Sequence, residues 1–151
     1  MKKRVLAFAA AMVMLLGGCG KSSKYGDTFD FTMPASPTEF NLKAVYASSE
    51  NENGSAGFDY NGRTYVMYGE LDGELTSSDV GACLGYVVQD GVKVEAIRIF
   101  ALASDSDMNF LVSADSEGVM EKPLFYRAAD TADSDITIPS FIKDLGQDYW
   151  K

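Results

Sequence analysis

The alternation of apolar and polar residues predicts a chain built mainly of short strands. A period of two residues is typical of a strand with one face in a core. This pattern recurs along the chain, separated by segments rich in Gly, Pro, Asn, Asp and Ser. The expected strands are 28–33, 42–47, 58–60, 63–68, 86–88, 92–102, 110–114, 124–128 and 136–138.

Two of these segments carry more detailed predictions. Asn61-Gly62 lies between aromatic and β-branched residues and suits the positive φ angles of a type I′ turn, so 58–68 is predicted to be a hairpin. In 92–102 the apolar positions change parity near Ala96. A change of parity moves side chains to the other face, which predicts a bulge or bend at that point.

Two short helices are expected beside the strands. Thr76 and Asp79 are among several N-cap candidates before 80–84, and Pro139 and Gly146 bracket a helix at 140–145. The predicted fold class is therefore α+β, mainly an antiparallel sheet with a short central helix and a short C-terminal helix. The sequence lacks the strand-helix-strand alternation of a parallel sheet. A Rossmann-type fold and a barrel are therefore not expected.

The amino-terminal segment has the pattern of an export signal. A basic head, Lys2 to Arg4, precedes an uninterrupted apolar run at 5–16. That run is too short to cross a hydrocarbon layer of about 30 Å as a permanent helix.

The end of this run resembles the lipobox of bacterial lipoproteins. The residues are Leu16, Gly17, Gly18 and Cys19. The resemblance implies cleavage after Gly18 and acylation of Cys19 with diacylglycerol and a fatty acid such as palmitate. An ordinary signal peptide that ends near a cysteine is the alternative.

The domain organisation follows from that signal. We expect a lipoprotein signal peptide at 1–18, a lipid-anchored tether at 19–27 and a single globular domain at 28–151. The predicted location is the extracytoplasmic face of the cell membrane, reached through the anchor on Cys19.

Charge and composition remove several classes of function. The chain has 13 basic and 22 acidic residues and no histidine. Its acidity argues against nucleic-acid binding, and the absence of histidine excludes Ser-His-Asp and Cys-His catalysis. With Cys19 acylated, Cys83 has no cysteine partner and is expected to be a buried thiol that acts as a small hydrophobe. No cofactor is predicted.

Four segments extend the resemblance to small surface lipoproteins of unknown function from Gram-positive, clostridial-type gut bacteria. They are Tyr-Asn-Gly-Arg-Thr-Tyr at 60–65, the run from Ser to Val at 78–87, Pro-Leu-Phe-Tyr-Arg-Ala at 123–128 and Asp-Tyr-Trp at 148–150. The resemblance implies a surface location and brings no known activity.

Acidic residues form one candidate binding feature. Asp105, Asp107 and Asn109 have the spacing that opens a calcium loop, but Phe110 replaces the required glycine. A polar hairpin turn is the simpler interpretation. A second acidic cluster, Asp130, Asp133 and Asp135, has the same two interpretations, and no metal site is assigned.

Aromatic residues form the other candidate. Tyr60, Tyr65, Tyr68 and Tyr86, with Arg63 near the turn and Trp150 in the tail, are a candidate binding face for a sugar or a peptide. Alternating aromatic residues in a hairpin also commonly fill a sheet's own core. Exposure of several rings on one face would distinguish the two.

The leading hypothesis is a lipid-anchored, non-catalytic module that binds an envelope protein or a wall glycan. The alternative is an extracellular domain that binds a small ligand or a divalent metal through its acidic loops. A small hydrolase ranks third, because no pair of carboxylates has a distinctive spacing.

Overall fold

The protein is nearly all β-sheet. The computed structural model describes residues 25, 29–46, 54–118, 122–146 and 150. Within them, strands make up 50% and 3-10 turns 6% of the residues. The strands are β1 (Thr38–Asn41), β2 (Lys43–Val45), β3 (Ser55–Tyr60), β4 (Arg63–Glu70), β5 (Val80–Gln89), β6 (Val92–Leu102), β7 (Phe110–Asp115) and β8 (Leu124–Ala128). The 3-10 turns are Ala129–Thr131 and Ser140–Ile142.

One sheet contains all eight strands and curls into an almost closed barrel. The strand order is β1-β5-β6-β7-β8-β4-β3-β2, and every pair is antiparallel except β1 with β5. β1 and β2 are separated only by Leu42, whose N–H donates to the Val88 carbonyl at 2.8 Å. The segment 38–45 therefore pairs with one edge of the sheet and then with the other, and it closes most of the gap between them.

Apolar side chains fill the interior of this barrel. Seven strands contribute to the interior cluster of Phe40, Phe58, Tyr65, Val87, Ile99, Leu111, Tyr126 and Ala128. The rings of Phe40 on β1 and Phe58 on β3 are 5.0 Å apart and edge-on, so side chains from near both sheet edges meet in the centre.

A second apolar cluster lies on the outer face of the sheet. Side chains alternate along β7, so that Leu111 faces the interior while Phe110 and Val112 belong to the outer cluster. The outer cluster is covered by residues from both ends of the described chain, including Phe29, Phe31, Ile142 and Trp150. Both faces of this part of the sheet are therefore buried.

The predicted helix at 80–84 is wrong, because these residues begin β5. The Asp79 carboxylate accepts hydrogen bonds from the backbone N–H and hydroxyl of Thr76, at 2.7 and 2.8 Å. The Asp79 side chain thus closes a turn with the preceding Thr76 and does not cap a helix that follows it. Val80 pairs with Leu102 on β6, and cross-strand pairing outweighs a weak helical preference.

The predicted C-terminal helix at 140–145 is also wrong, and only the 3-10 turn Ser140–Ile142 forms there. The predicted α+β class is therefore wrong, and the fold is an almost closed, barrel-like sheet of eight strands, which the strand pattern did not indicate. Residues 29–33 and 136–138 are not regular strands, yet Phe29, Phe31, Ile136 and Ile138 do pack against the outer cluster.

Two local predictions, the hairpin at Asn61-Gly62 and the parity change in β6, are confirmed. Asn61 and Gly62 have φ angles of 50° and 74°, as the type I′ hairpin between β3 and β4 requires. β6 spans Val92–Leu102, and its pairing with β5 shifts around Ala96, where Arg98 pairs with Tyr86 and Val94 with Val87.

The predicted signal peptide, with Gly18 and Cys19, lies outside the described residues. Tyr25, which the sequence assigns to the tether, is only 7% exposed. A search of the described residues finds no helix with the length and apolarity needed to cross a membrane.

Candidate functional site

The predicted aromatic face is not an exposed platform. Tyr65, Tyr68 and Tyr86 are 1%, 3% and 6% exposed, and Tyr60 is half-buried. Tyr65 and Tyr60 pack with the barrel interior, whereas Tyr68 belongs to the outer cluster. The rings therefore stabilise two different layers of the core.

The hydroxyl groups of Tyr65 and Tyr86 are also engaged within the domain. Tyr65 donates to the carbonyl of Met108 at 2.6 Å, and Tyr86 donates to the Glu39 carboxylate at 2.9 Å. Burial raises the pKa of the Tyr65 hydroxyl, so it is protonated and a donor at neutral pH. The pattern that indicated a binding face is here explained by core packing.

Arg63 holds the end of the barrel at which the candidate site lies. Its guanidinium forms a two-point ion pair with Asp130, with Nε–Oδ2 and Nη2–Oδ1 distances of 2.9 and 2.7 Å. It also donates to the carbonyls of Asp107 and Met108 and to Oδ1 of Asn109, each at 3.0 Å. One side chain on β4 therefore fixes both the β6–β7 loop and the turn after β8.

A polar cleft of about 420 Å³ opens beside this arginine-bound loop. Loop residues 104–107 and Asn109 form one wall, and residues 135–137 form the other. Asp107 and Asp135 are exposed at the cleft, and Asp105 lies deeper. We call this feature the acidic cleft.

Asp105 is the least solvated carboxylate of the cleft. Its Oδ2 accepts a hydrogen bond of 2.7 Å from the backbone N–H of Phe110, at the start of β7. Burial raises the pKa of the carboxyl, and the hydrogen bonds from the Phe110 and Asn109 backbone offset part of that effect. Asp105 is thus partly desolvated, and its hydrogen bond with Phe110 fixes the end of the loop.

Asp105→Asn is expected to raise the melting temperature modestly at pH 7. The asparagine oxygen can still accept from Phe110, while the cost of burying a charge is removed. Because the folded-state pKa is raised, protonation relieves that cost in the wild-type protein as pH falls through the folded pKa. In thermal melts between pH 7 and pH 4, the melting temperatures of the wild-type protein and Asp105→Asn should converge as the pH falls.

Asp90→Asn is the matched control for that series. It makes the same change of charge at an exposed turn at the other end of the barrel, where a φ of 51° suits asparagine. A gap between Asp105→Asn and wild type that stays constant from pH 7 to pH 4 would contradict the role given to Asp105.

The loop at 105–109 is not organised as a calcium loop. Oδ1 of Asn109, which would be the third ligand, accepts from the Arg63 guanidinium, and Asp130 is the counter-ion of that guanidinium. A fixed positive charge beside the oxygens opposes a divalent cation. No group of three or more His, Cys, Asp or Glu suited to holding a metal occurs in the described part of the chain.

Cys83 has the half-buried position of a structural thiol. It packs against the outer cluster, and its Sγ lies 3.8 Å from the carbonyl of Gly85. Burial raises the thiol pKa, which disfavours the reactive thiolate.

Sequence reasoning missed the roles of two arginines. It placed Arg63 on an aromatic face and not at the centre of a loop-holding network. Arg127, which is 7% exposed, lies 4.7 Å from the ring centre of Trp150 and donates to the hydroxyl and carbonyl of Thr131. The spacing of Arg127 and Thr131 is a local signal, but nothing in the sequence links either arginine to its distant partners.

Comparison of the chain with protein-family models, with curated proteins and with solved structures finds no match. The residues and their geometry are therefore the basis for a functional assignment.

Proposed function

We propose that the protein is a lipid-anchored, non-catalytic binding module on the extracytoplasmic face of the cell membrane. The basic head, the apolar run at 5–16 and the cysteine at 19 support the location. The lack of histidine and the raised pKa of Cys83 argue for binding instead of nucleophilic catalysis.

The acidic cleft is the observation that carries the binding half of the proposal. Its loop wall is held in place by Arg63 before any partner arrives, and a preorganised wall loses little entropy on binding. Asp107 and Asp135 are exposed there in a chain with a net charge of −9. The chemistry of the cleft favours a cationic partner, such as a basic segment of an envelope protein.

Acylation of Cys19 is tested by metabolic labelling with a clickable fatty acid. We expect the wild-type protein to incorporate the label and to fractionate with membranes, and Cys19→Ser to do neither. Cys83→Ser is the matched control and should keep the label, since it changes the other cysteine of the chain. Label that persists in Cys19→Ser would contradict the anchor.

The cleft is tested by calorimetric titration with a short lysine-rich peptide. Replacing both Asp107 and Asp135 by asparagine should weaken binding about 2- to 30-fold at low salt, since each exposed charge pair contributes about 0.2–1 kcal/mol. Raising the salt concentration should reduce the difference because exposed charges are screened.

The control for this titration removes the same amount of charge elsewhere. Asp72→Asn together with Asp90→Asn alters two exposed carboxylates that do not line the cleft. Equal losses of affinity in the two double variants would show that the peptide senses only the net charge, and the cleft would then lose its assignment.

A further inference from the structure

The barrel has two distinct ends. The turn at 61–62, the loop at 104–109 and the acidic cleft lie at one end, which we call the distal end. The β5–β6 hairpin at 89–92 and the β7–β8 connection lie at the other, which we call the anchor end. β5 has ten residues, so the two ends are at most about 30 Å apart along the strand.

Tyr25 is the described residue nearest in sequence to the proposed lipid site. Its hydroxyl accepts a 2.8 Å hydrogen bond from the backbone N–H of Asp115, the last residue of β7. Its ring contacts those of Phe29 and Phe31, with centroids 5.2 and 5.3 Å away. The globular body is therefore fixed to the chain as early as residue 25.

The direction of the chain at Tyr25 follows from its pairing with Leu75. Leu71 donates to the carbonyl of Pro123 at the anchor end, and the Asp79 carbonyl accepts from Ala103 at the distal end. Residues 71–79 thus run from the anchor end to the distal end. Tyr25 pairs with Leu75 in parallel, so the chain direction at Tyr25 is also from the anchor end to the distal end.

Only six residue steps separate Cys19 from Tyr25. Even a fully extended chain covers about 20 Å over six residues. This reach is shorter than the barrel, and the Tyr25 hydroxyl is bonded to Asp115 at the anchor end of β7. An acyl group on Cys19 would therefore hold that end near the lipid surface.

Side-chain exposure agrees with this orientation. Among the described residues, the two large apolar side chains with the greatest exposure are Val92 at 64% and Tyr46 at 57%. Val92 begins β6 at the anchor end, and Tyr46 follows Val45, which pairs with Ser55 at that end. Tyrosine at an interface places its ring against lipid and its hydroxyl in water.

We propose that the barrel stands on the membrane with the 89–92 hairpin toward the lipid and the acidic cleft directed away from it. This inference rests on the proposed acylation of Cys19 and adds an orientation to it. The cleft is then presented up to about 30 Å from the anchor end, where a partner in the wall space can reach it.

The orientation is tested by energy transfer from the protein to labelled lipid. The lipidated full chain, with Cys83→Ala as background, carries one donor dye at either Val92→Cys or Ser106→Cys. The vesicles contain phosphatidylcholine, phosphatidylglycerol and a rhodamine-labelled headgroup lipid. Transfer from position 92 should be at least about twofold more efficient than from 106, given a separation of up to about 30 Å.

A longer tether is the matched control. Inserting about 20 Gly and Ser residues after Gly20 adds a flexible reach of about 25 Å, and the ratio of the two efficiencies should then approach one. A second pair, Glu117→Cys at the anchor end and Ser78→Cys near the distal end, repeats the comparison if either first variant melts early. Both residues are exposed.

The outcomes separate the orientation from the anchor. Equal transfer from both positions in the native-length chain means that the barrel lies on its side, and stronger transfer from 106 means that it is inverted. Either result overturns the inference while the chain still floats with vesicles and has the acyl mass. A chain without that mass, or one that does not float, overturns the anchor and the orientation together.

Discussion

Gly85→Ala should destabilise the domain by about 3 kcal/mol, because the new methyl group would be forced into the backbone of the neighbouring strand. A Cβ at this position would overlap the carbonyl oxygen of Thr38 and lie 2.6 Å from its nitrogen. Thr38 is paired with Gly85 at the start of β1. The substitution would therefore push β1 away from β5, where the barrel is closed by a short segment.

The measurement is the melting temperature by circular dichroism. A loss of about 3 kcal/mol corresponds to roughly 10 °C in a domain of this size. Gly81→Ala is the matched control on the same strand, since the nearest atom to its Cβ would be Cβ of Ala101 at 3.7 Å. That variant should melt at or slightly above the wild-type temperature, because alanine restricts the unfolded chain.

Similar melting temperatures for Gly85→Ala and Gly81→Ala would contradict the close approach of β1 to β5. The pair of variants tests the closure of the barrel rather than the glycine content of β5, because both alter the same residue type in one strand.

This closure illustrates which parts of the fold the sequence could predict. The hairpin at Asn61-Gly62 and the parity change in β6 are encoded by neighbouring residues, through turn geometry and a period of two. Gly85 gives no comparable signal. Glycine is required at this position because Thr38 leaves no room for a Cβ, and Thr38 is 47 residues earlier and joins β5 only in the folded sheet.

The helix predicted at 80–84 failed for a related reason. Its polar start and small residues are compatible with a helical turn, but the cross-strand partners on β6 are distant in sequence. Short segments follow tertiary pairing when their intrinsic preference is weak. The same limit applies to the tyrosines. Their spacing predicts strands, but it does not predict which of the two apolar clusters buries each ring.

The acidic cleft was partly predictable. The sequence identified Asp105, Asp107 and Asp135 as polar turn residues, and it offered a calcium loop and a polar turn as alternatives. The long-range contacts of Arg63 decide between them, because its guanidinium occupies the oxygen of Asn109 and pairs with Asp130. Nothing in the spacing of residues 105–109 reveals an arginine more than 40 positions earlier.

Arg63→Met should have the second largest effect on stability, about 2 kcal/mol. The methionine keeps the apolar stem but removes all five hydrogen bonds, including those to the carbonyls of Asp107 and Met108. The stability of Arg63→Lys should lie between those of the wild-type protein and Arg63→Met, since an ammonium group has at most three donors and no planar fork. Chemical denaturation at pH 7 measures the three free energies of unfolding.

Hydrogen exchange should show which part of the Arg63→Met variant is destabilised. Faster exchange is expected at the Met108 amide, which donates to the Asp105 carbonyl at 3.1 Å within the loop that Arg63 holds. Arg98→Met is the matched control, because the Arg98 Nε donates only to the nearby Glu95 carbonyl at 3.2 Å among its described hydrogen bonds. It should change stability by less than about 0.5 kcal/mol.

The pH dependence of the Arg63→Met variant has a definite sign. Hydrogen bonding to Arg63 lowers the pKa of Asp130 in the folded protein. Stability from a depressed carboxyl pKa is present above the unfolded value, near 4, and is lost as pH falls through the folded value. The gap between wild type and Arg63→Met should therefore narrow below about pH 4 without closing, because the bonds to the carbonyls of Asp107 and Met108 do not titrate. A gap independent of pH, with an unchanged Asp130 titration by NMR, would contradict a stabilising ion pair and leave only the carbonyl contacts to hold the loop.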